Sequence, residues 1–317
     1  MDDLTNPIFT DANAARAHLE KLRWPDGPVC PHCGSFHGIA SVEGKKKSHR
    51  KGLYFCNSCQ GQFTVTVGTV LEQSHVPLNK WLLAFYLMCA SKKGYSAHQL
   101  HRTIKVSYKT AWFMAHRIRE AMRTGGLVPP MGGDGGIVEI DETIYGRAAT
   151  HPKGRKRTDK KLTNSAHKNV ILSLVERGGE VRSYHIDGST VGQVIPIVEA
   201  NVAKEAAVMT DSAMLYKKRL GEFASHDRVD HTKKEYARYE EGRPVIHTNT
   251  VEGYFSVFKR GMRGTYQHCK EKHLHRYLAE FDFRYNNRSR LGVEDAARTA
   301  ICLGQIEGKR LTYRRTD

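Results

Sequence analysis

The chain has 317 residues, enough for two or three domains and at least one substantial core, and 50 Lys and Arg against 33 Asp and Glu leave a formal charge of +17. That balance points to a polyanion as partner, nucleic acid ahead of an anionic membrane surface. The longest apolar run, WLLAFYLMCA (81–90), is about half a bilayer span, and MDDLTNPIFTDANAA carries no signal pattern, so the expectation is a cytoplasmic protein with no membrane partner and reduced cysteines.

The first predicted module, residues 1–70, is an N-terminal helix followed by VCPHCG and FCNSCQ, two C-x2-C knuckles 22 residues apart. Cys30, Cys33, Cys56 and Cys59 can surround one zinc ion tetrahedrally, and four protein ligands leave no open position, so this zinc is structural. The short strand-like segments GIASVEG, GLYFC and QFTVTVGTV make a zinc ribbon. His32, His37 and His49 are expected on its surface, and Cys89, Cys269 and Cys302 as small buried hydrophobes.

Residues 71–124 read as helices: PLNKWLLAFYLMCASKKG ending on Gly94, SAHQLHRTI starting on Ser96, then SYKTAWFMAHRIREAMRT. Helix, short helix, tight turn and longer helix is the helix-turn-helix layout, with a plain helical bundle as the competing reading. In the first reading Ser107, Tyr108, Lys109 and Thr110 open the recognition helix, with Arg117 further along it, as DNA contacts. GGLVPPMGGDGG (125–136) is a Gly/Pro linker and the clearest domain boundary.

Beyond it, residues 137–290 read as one α/β domain, with residues 291–317 as a C-terminal helix and basic tail. In GIVEIDETIYGR, Val138, Ile140 and Ile144 share one strand face and Glu139, Asp141 and Thr143 the other. HKNVILSLVERGG and EVRSYHID form a hairpin at Gly178–Gly179; STVGQVIPIVEANV is a helix, and AAVMTD a strand ending in an acid. Three strands, a helix, a strand, then helices is the order of a ribonuclease-H-like fold, a mixed five-stranded sheet with flanking helices. Asp141 has no structural excuse, because a carboxylate in a buried central strand is costly unless a cation or hydrogen bonds compensate it. Asp211 is equally readable as a helix cap. Glu252 in HTNTVEGYF is equally readable as the far end of a capping box starting at Asn249. Together the three carboxylates suit magnesium, two ions of which about 4 Å apart serve phosphoryl transfer. Lys259 lies two helical turns after Glu252 on the same face, in reach of a DNA phosphate, with Arg260 and Arg263 beside it. The run KGRKRTDKK (153–161), with Lys153, Arg155 and Lys156, reads as a basic loop along a phosphate backbone or as a solvated one.

These residues together resemble bacterial DDE insertion-sequence transposases of the family with an N-terminal zinc ribbon. The motifs are CPHC…CNSC, SKKGYSAHQLHRTIKVSYKTAWFMAHRIREAM, VEIDETIYG, VMTDSAMLY and HTNTVEGYFSVFKRGMRGTYQHC…HLHRYLAEFDFRYNNR, in family order over roughly residues 10–290. The resemblance implies that Asp141, Asp211 and Glu252 are the acidic triad and Lys259 the basic residue that follows it. Asp230-His231 and Tyr285-Asn286 also match family motifs. It further implies two Mg2+ (or Mn2+) ions, cleavage at the element's ends, and transfer of the 3′ hydroxyl into target DNA. The ribbon and helix-turn-helix would recognise terminal inverted repeats, within a homo-oligomer of at least two copies associated with the nucleoid. No small-molecule substrate is implied. The rival readings are a non-enzymatic DNA-binding regulator and a structure-specific nuclease of the same fold.

Overall fold

The computed structural model describes residues 3–42, 51–146, 168–216 and 219–312; the basic run at 153–161, with Lys153, Arg155 and Lys156, and also His49 lie outside them. The chain divides into two units, Met1–Arg123 with Asn287–Asp317, and Thr124–Asn286.

In the first unit, helices α1 (Pro7–Thr10) and α2 (Ala12–Arg23) precede a three-stranded antiparallel meander of β1 (Ile39–Ser41), β2 (Tyr54–Cys56) and β3 (Gly61–Phe63). Strands of three residues bury too little to stand alone. Trp24, at the end of α2, sets its ring edge-on to Tyr54 and Phe63 at 5.6 and 5.8 Å. Arg23 donates to the carbonyls of Val65 and Val67 at 2.7 and 2.8 Å, fastening α2 to the chain beyond the ribbon.

Helix α3 (Leu78–Ala90) is the apolar centre of this unit and buries Trp81, Leu82, Phe85 and Met88. It stops at Ala90, short of the expected Gly94: Ser91 is extended and its hydroxyl holds the Gly94 carbonyl at 2.7 Å. Helix α4 (Ala97–Ile104) opens on a capping box between Ser96 and Gln99 and ends at Lys105 in the left-handed conformation. Helix α5 (Tyr108–Met122) is capped by Ser107, whose oxygen accepts from Thr110 N at 3.1 Å.

The second unit is built on a five-stranded mixed sheet. Strands β4 (Ile137–Tyr145), β5 (Asn169–Glu176) and β6 (Val181–Ile186) form an antiparallel meander; β7 (Ala207–Asp211) pairs parallel to β4, and β8 (Ser225–Val229) parallel to β7. The order β6-β5-β4-β7-β8 puts β4 at the centre and is compatible with a ribonuclease-H-like fold. Val138 and Ile140 of β4 join Val170, Leu172 and Leu174 of β5 under helix α6 (Val191–Asn201). On the opposite face Ile171 and Val175 meet α7 (Asn249–Gly261) and α8 (Leu274–Asn286) through Val251, Tyr254, Phe258, Leu278 and Phe281. β5 is therefore buried on both sides, which is why NVILSLV is almost continuously apolar.

The edge strand β6 is closed by a side chain. Asn286 accepts from Val181 N at 2.7 Å and donates to Val181 O at 3.0 Å, replacing a neighbouring strand. Strand β8, SHDRV, is the one that sequence periodicity does not reveal, because it lacks alternating apolar residues. After α8 the chain returns to the first unit, where α9 (Asp295–Gly304) packs on α3 and Arg298 donates to the Cys89 carbonyl at 3.1 Å. No helix among the described residues is long and apolar enough to cross a membrane.

Candidate metal sites and nucleic-acid interface

The four knuckle cysteines converge. Their sulfurs all lie within 4.8 Å of one another, with Cys30–Cys59 at 3.6 Å and Cys33–Cys56 at 3.7 Å. A tetrahedron with Zn–S near 2.3 Å has edges of about 3.8 Å, so the sulfurs stand where a structural zinc would hold them. The Cys59 amide and the Cys33 thiol draw the Cys56 thiol down to about 6, while, against the pull of the Gly61 amide, burial and the other three sulfurs raise Cys59, as expected of thiols that share their protons across one cluster. His32 and His37 are exposed, as the sequence suggested.

The second group is acidic. Ile140 and Thr210 are register partners in the parallel β4–β7 pair. Asp141 and Asp211 follow them directly, so strand parity puts both on the sheet face that carries α7. Glu252 lies in the first turn of α7, 44% exposed. Burial pushes the Asp141 carboxyl up to about 8, and the charges of Glu142, Asp211 and Glu252 push it in the same direction. It accepts one hydrogen bond, from Glu142 N at 2.8 Å, and has no salt-bridge partner among the described residues. Among those residues only the cysteines bring three or more ligand atoms within 4.8 Å; the carboxylates stand wider apart.

Two residues beside this group, Glu142 and His231, carry no role that the sequence assigns. Glu142 faces the other side of β4, where the Tyr216 hydroxyl donates to it at 2.5 Å. Burial raises Glu142 to about 7, offset in part by that hydroxyl and reinforced by Asp211. The available signals were three acids in VEIDE and the tyrosine closing VMTDSAMLY. His231 is the other: its Nε2 is 3.1 Å from Glu252 Oε1 and 3.3 Å from the Thr248 hydroxyl.

Glu252 is not the far end of a capping box. The cap of α7 is Thr248, not Asn249, and Glu252 takes the Thr248 hydroxyl at 3.1 Å rather than a helix amide. The first amides of α7 belong to Glu139, whose Oε2 accepts from Thr250 N at 2.8 Å and Val251 N at 3.1 Å. A carboxylate delivered from the central strand does the capping, which leaves Glu252 free of that duty. Asp211 does accept from Ala213 N at 2.9 Å, so its turn-capping role coexists with its place beside Asp141.

Lys259 is half-buried on α7, its amine 6.0 Å from the Phe255 ring. Burial and the Arg263 charge lower its ammonium below the ordinary lysine value, while Asp141 acts the opposite way, so the two side chains sense each other. Arg260 and Arg263 are exposed on the same helix end. In the first unit Tyr108 is 45% exposed with its ring stacked on His98 at 4.3 Å, and Ser107 and Lys109 are exposed beside it, with Thr110 half-buried. Arg117, expected on a DNA-facing surface, is 7% exposed. It donates to the carbonyls of Glu72 at 2.9 Å and Leu311 at 3.2 Å and lies over the Phe113 ring, so it is an internal strut.

The family model of the ISXO2-like transposase domain matches residues 134–286, and that of the transposase zinc-ribbon domain matches residues 10–62, together more than half of the chain. The chain belongs to the ISXO2-like transposase family. It is also similar to an uncharacterized protein in transposable element ISH50 of Halobacterium salinarum, 29% identical over 294 residues that cover 88% of this chain and 92% of that relative. Transposase and zinc-ribbon domains imply DNA as partner and zinc as a structural ion.

Proposed function

We propose that the protein is a DDE transposase that, with magnesium or manganese, cleaves the ends of its own element and joins the freed 3′ hydroxyls to target DNA. The observation that carries this reading is Asp141, a half-buried carboxyl in the central strand, pushed up to about 8 and acted on by three further carboxylates. Such a group is stabilised by a proton or by a cation, and a set of carboxylate oxygens is what magnesium selects. Asp141, Asp211 and Glu252 would hold two ions per site. The chemistry supplied by bound ions is neutralisation of the charge that develops on the phosphate oxygens.

Hydrolysis breaks the P–O3′ bond: a water oxygen bonds to phosphorus and the 3′ oxygen leaves protonated. In joining, that 3′ oxygen bonds to a target phosphorus, and the target's own 3′ oxygen leaves with the proton. No protein–DNA bond forms. Lys259 holds a phosphate oxygen beside the acids, and Arg260 and Arg263 follow the backbone away from it. His231 and Thr248 orient the Glu252 carboxylate, and Tyr216 orients Glu142 behind Asp141. The ribbon with α4 and α5, taken as a helix-turn-helix presenting Ser107, Tyr108, Lys109 and Thr110, recognises the terminal inverted repeats. Two or more copies hold the paired ends together at the nucleoid.

The test is a strand-transfer assay on the native element ends. Asp141→Asn and Glu252→Gln proteins are expected to bind those ends but neither cut nor join them. Joining by either variant refutes the triad; wild-type cutting without joining indicates a nuclease, and binding alone a regulator.

A further inference from the structure

We infer that Glu139 and Arg177 are positioning residues for the proposed metal site, fixing the first turn of α7, and with it Glu252, against the strand that carries Asp141. The inference rests on the reading of Asp141 and Glu252 as members of one site.

Glu139 lies two residues before Asp141 on the same face of β4, and none of its surface is exposed. Besides the two amides of α7, it accepts from Thr250 Oγ1 at 2.8 Å and Arg177 Nε at 2.6 Å, with His247 Nδ1 at 3.1 Å. A carboxylate offers about four lone-pair sites, so its acceptor capacity is taken up and Glu139 has none left for a metal ion. Glu252 directly follows Val251, whose amide Glu139 holds. The route from Asp141 through Glu139 to Glu252 is therefore three residues and one hydrogen bond, although the two acids are remote in sequence.

Arg177, just past the end of β5, fixes the approach to the helix. Its Nη1 donates to Val245 O at 2.7 Å and its Nη2 to His247 O at 2.9 Å, on either side of buried Ile246. Its own amide donates to Ile137 O at 2.9 Å, so the guanidinium reaches out from the β4–β5 ladder. A planar fork with several fixed acceptors sets direction as well as distance, which a lysine cannot reproduce. If Glu139 and Arg177 yield, the first turn of α7 shifts relative to β4, and the Asp141–Glu252 separation shifts with it. Partners that orient metal ligands typically matter almost as much as the ligands.

The experiment is calorimetric titration of Mn2+ into the zinc-loaded full-length protein without DNA, with zinc content and near-UV circular dichroism as controls of folding. Asp141→Asn and Glu252→Gln are expected to abolish the binding heat. Glu139→Gln and Arg177→Gln are expected to weaken Mn2+ binding roughly 10- to 100-fold with both controls unchanged, and Arg177→Lys to fall between them and wild type. The sign for Arg177 separates positioning from simple electrostatics, because loss of a cation near a cation site by charge alone tightens Mn2+ binding. Unchanged or tighter binding by Arg177→Gln, with Asp141→Asn inactive in binding, overturns the inference and leaves the site standing. Wild-type binding by both Asp141→Asn and Glu252→Gln overturns the site itself and the inference with it. Should Glu139→Gln and Arg177→Gln lose their near-UV signal, unaltered Mn2+ affinity in Arg177→Lys overturns the inference.

Discussion

Asp282 is a buried acid that the proposed chemistry does not use, and it makes the stability of the second unit depend on pH in a predictable direction. It accepts from Ser183 N at 2.9 Å, from the Ser183 hydroxyl at 2.8 Å and from the Tyr254 hydroxyl at 2.5 Å, tying α8 to β6 and α7. Burial pushes it up to about 7, against the opposing pull of those donors. An ordinary aspartate titrates near 3.9, so between about pH 4 and pH 7 the folded state binds the proton that the unfolded state has released. Its contribution is fully present below pH 4, falls as pH rises through that window, and is flat above it. About three units at 1.36 kcal/mol each set an upper limit of about 4 kcal/mol, a shift on the order of 10 °C for a unit of this size. Asp282→Asn removes the titration while keeping the shape: its oxygen accepts from Ser183 N, and its amide nitrogen donates to hydroxyls that can turn to accept. The assay is thermal unfolding of both proteins from pH 4.5 to 8.5, followed on the transition of the second unit. The wild-type Tm is expected to fall relative to the variant as pH rises. Parallel curves, or a wild type that gains on the variant toward pH 8, refute the reasoning.

Chelation or Cys33→Ser is expected to release one equivalent of zinc, measured by metal analysis, and to abolish end binding while Mn2+ binding by the second unit survives; zinc-free wild-type protein would contradict this. Lys259→Ala is expected to slow end cleavage on the order of 100-fold with end binding intact, and Lys259→Arg to recover part of the rate. Asn286→Ala, which strands the Val181 amide and carbonyl at the sheet edge, is expected to cost about 1–3 kcal/mol and to speed hydrogen exchange at Val181. Arg177→Ala, which takes the guanidinium from the buried Glu139 carboxylate and leaves it to the α7 amides and the Thr250 hydroxyl, is expected to cost roughly 3–5 kcal/mol in denaturant unfolding, against less than half of that for Arg177→Lys.

The local devices were legible because they act over a few residues. The C-x2-C spacing places two sulfurs on one turn whatever surrounds it, and the strand alternation around Asp141 follows from backbone parity. Ser96 announces a helix start through its own hydroxyl and is a cap in the structure, while Ser107, read as a DNA contact, proves to be a cap as well. The readings that failed needed knowledge of a distant partner. Glu252 at the spacing of a capping box was ambiguous until the amide it would have taken, Asn249 N, proved to donate to His247 Nδ1, with Glu139 of the central strand on the next two amides. Arg117 on a basic helix looked solvent-facing, but the carbonyls that receive it come from residues 72 and 311.

By itself the sequence determined the zinc knuckles, the order of the second unit's strands and helices as far as β7, the acids they carry and the strongly basic balance, since these are set by composition and short-range periodicity. Only the tertiary structure decided which acids do structural work and which remain for chemistry. Glu139 and Asp141 stand two residues apart on one strand face and are equivalent as sequence. What separates them is the N-terminus of α7 and the Arg177 guanidinium, which compensate the first with amides and a cation and leave the second half-buried, raised to about 8 and without an ion partner among the described residues.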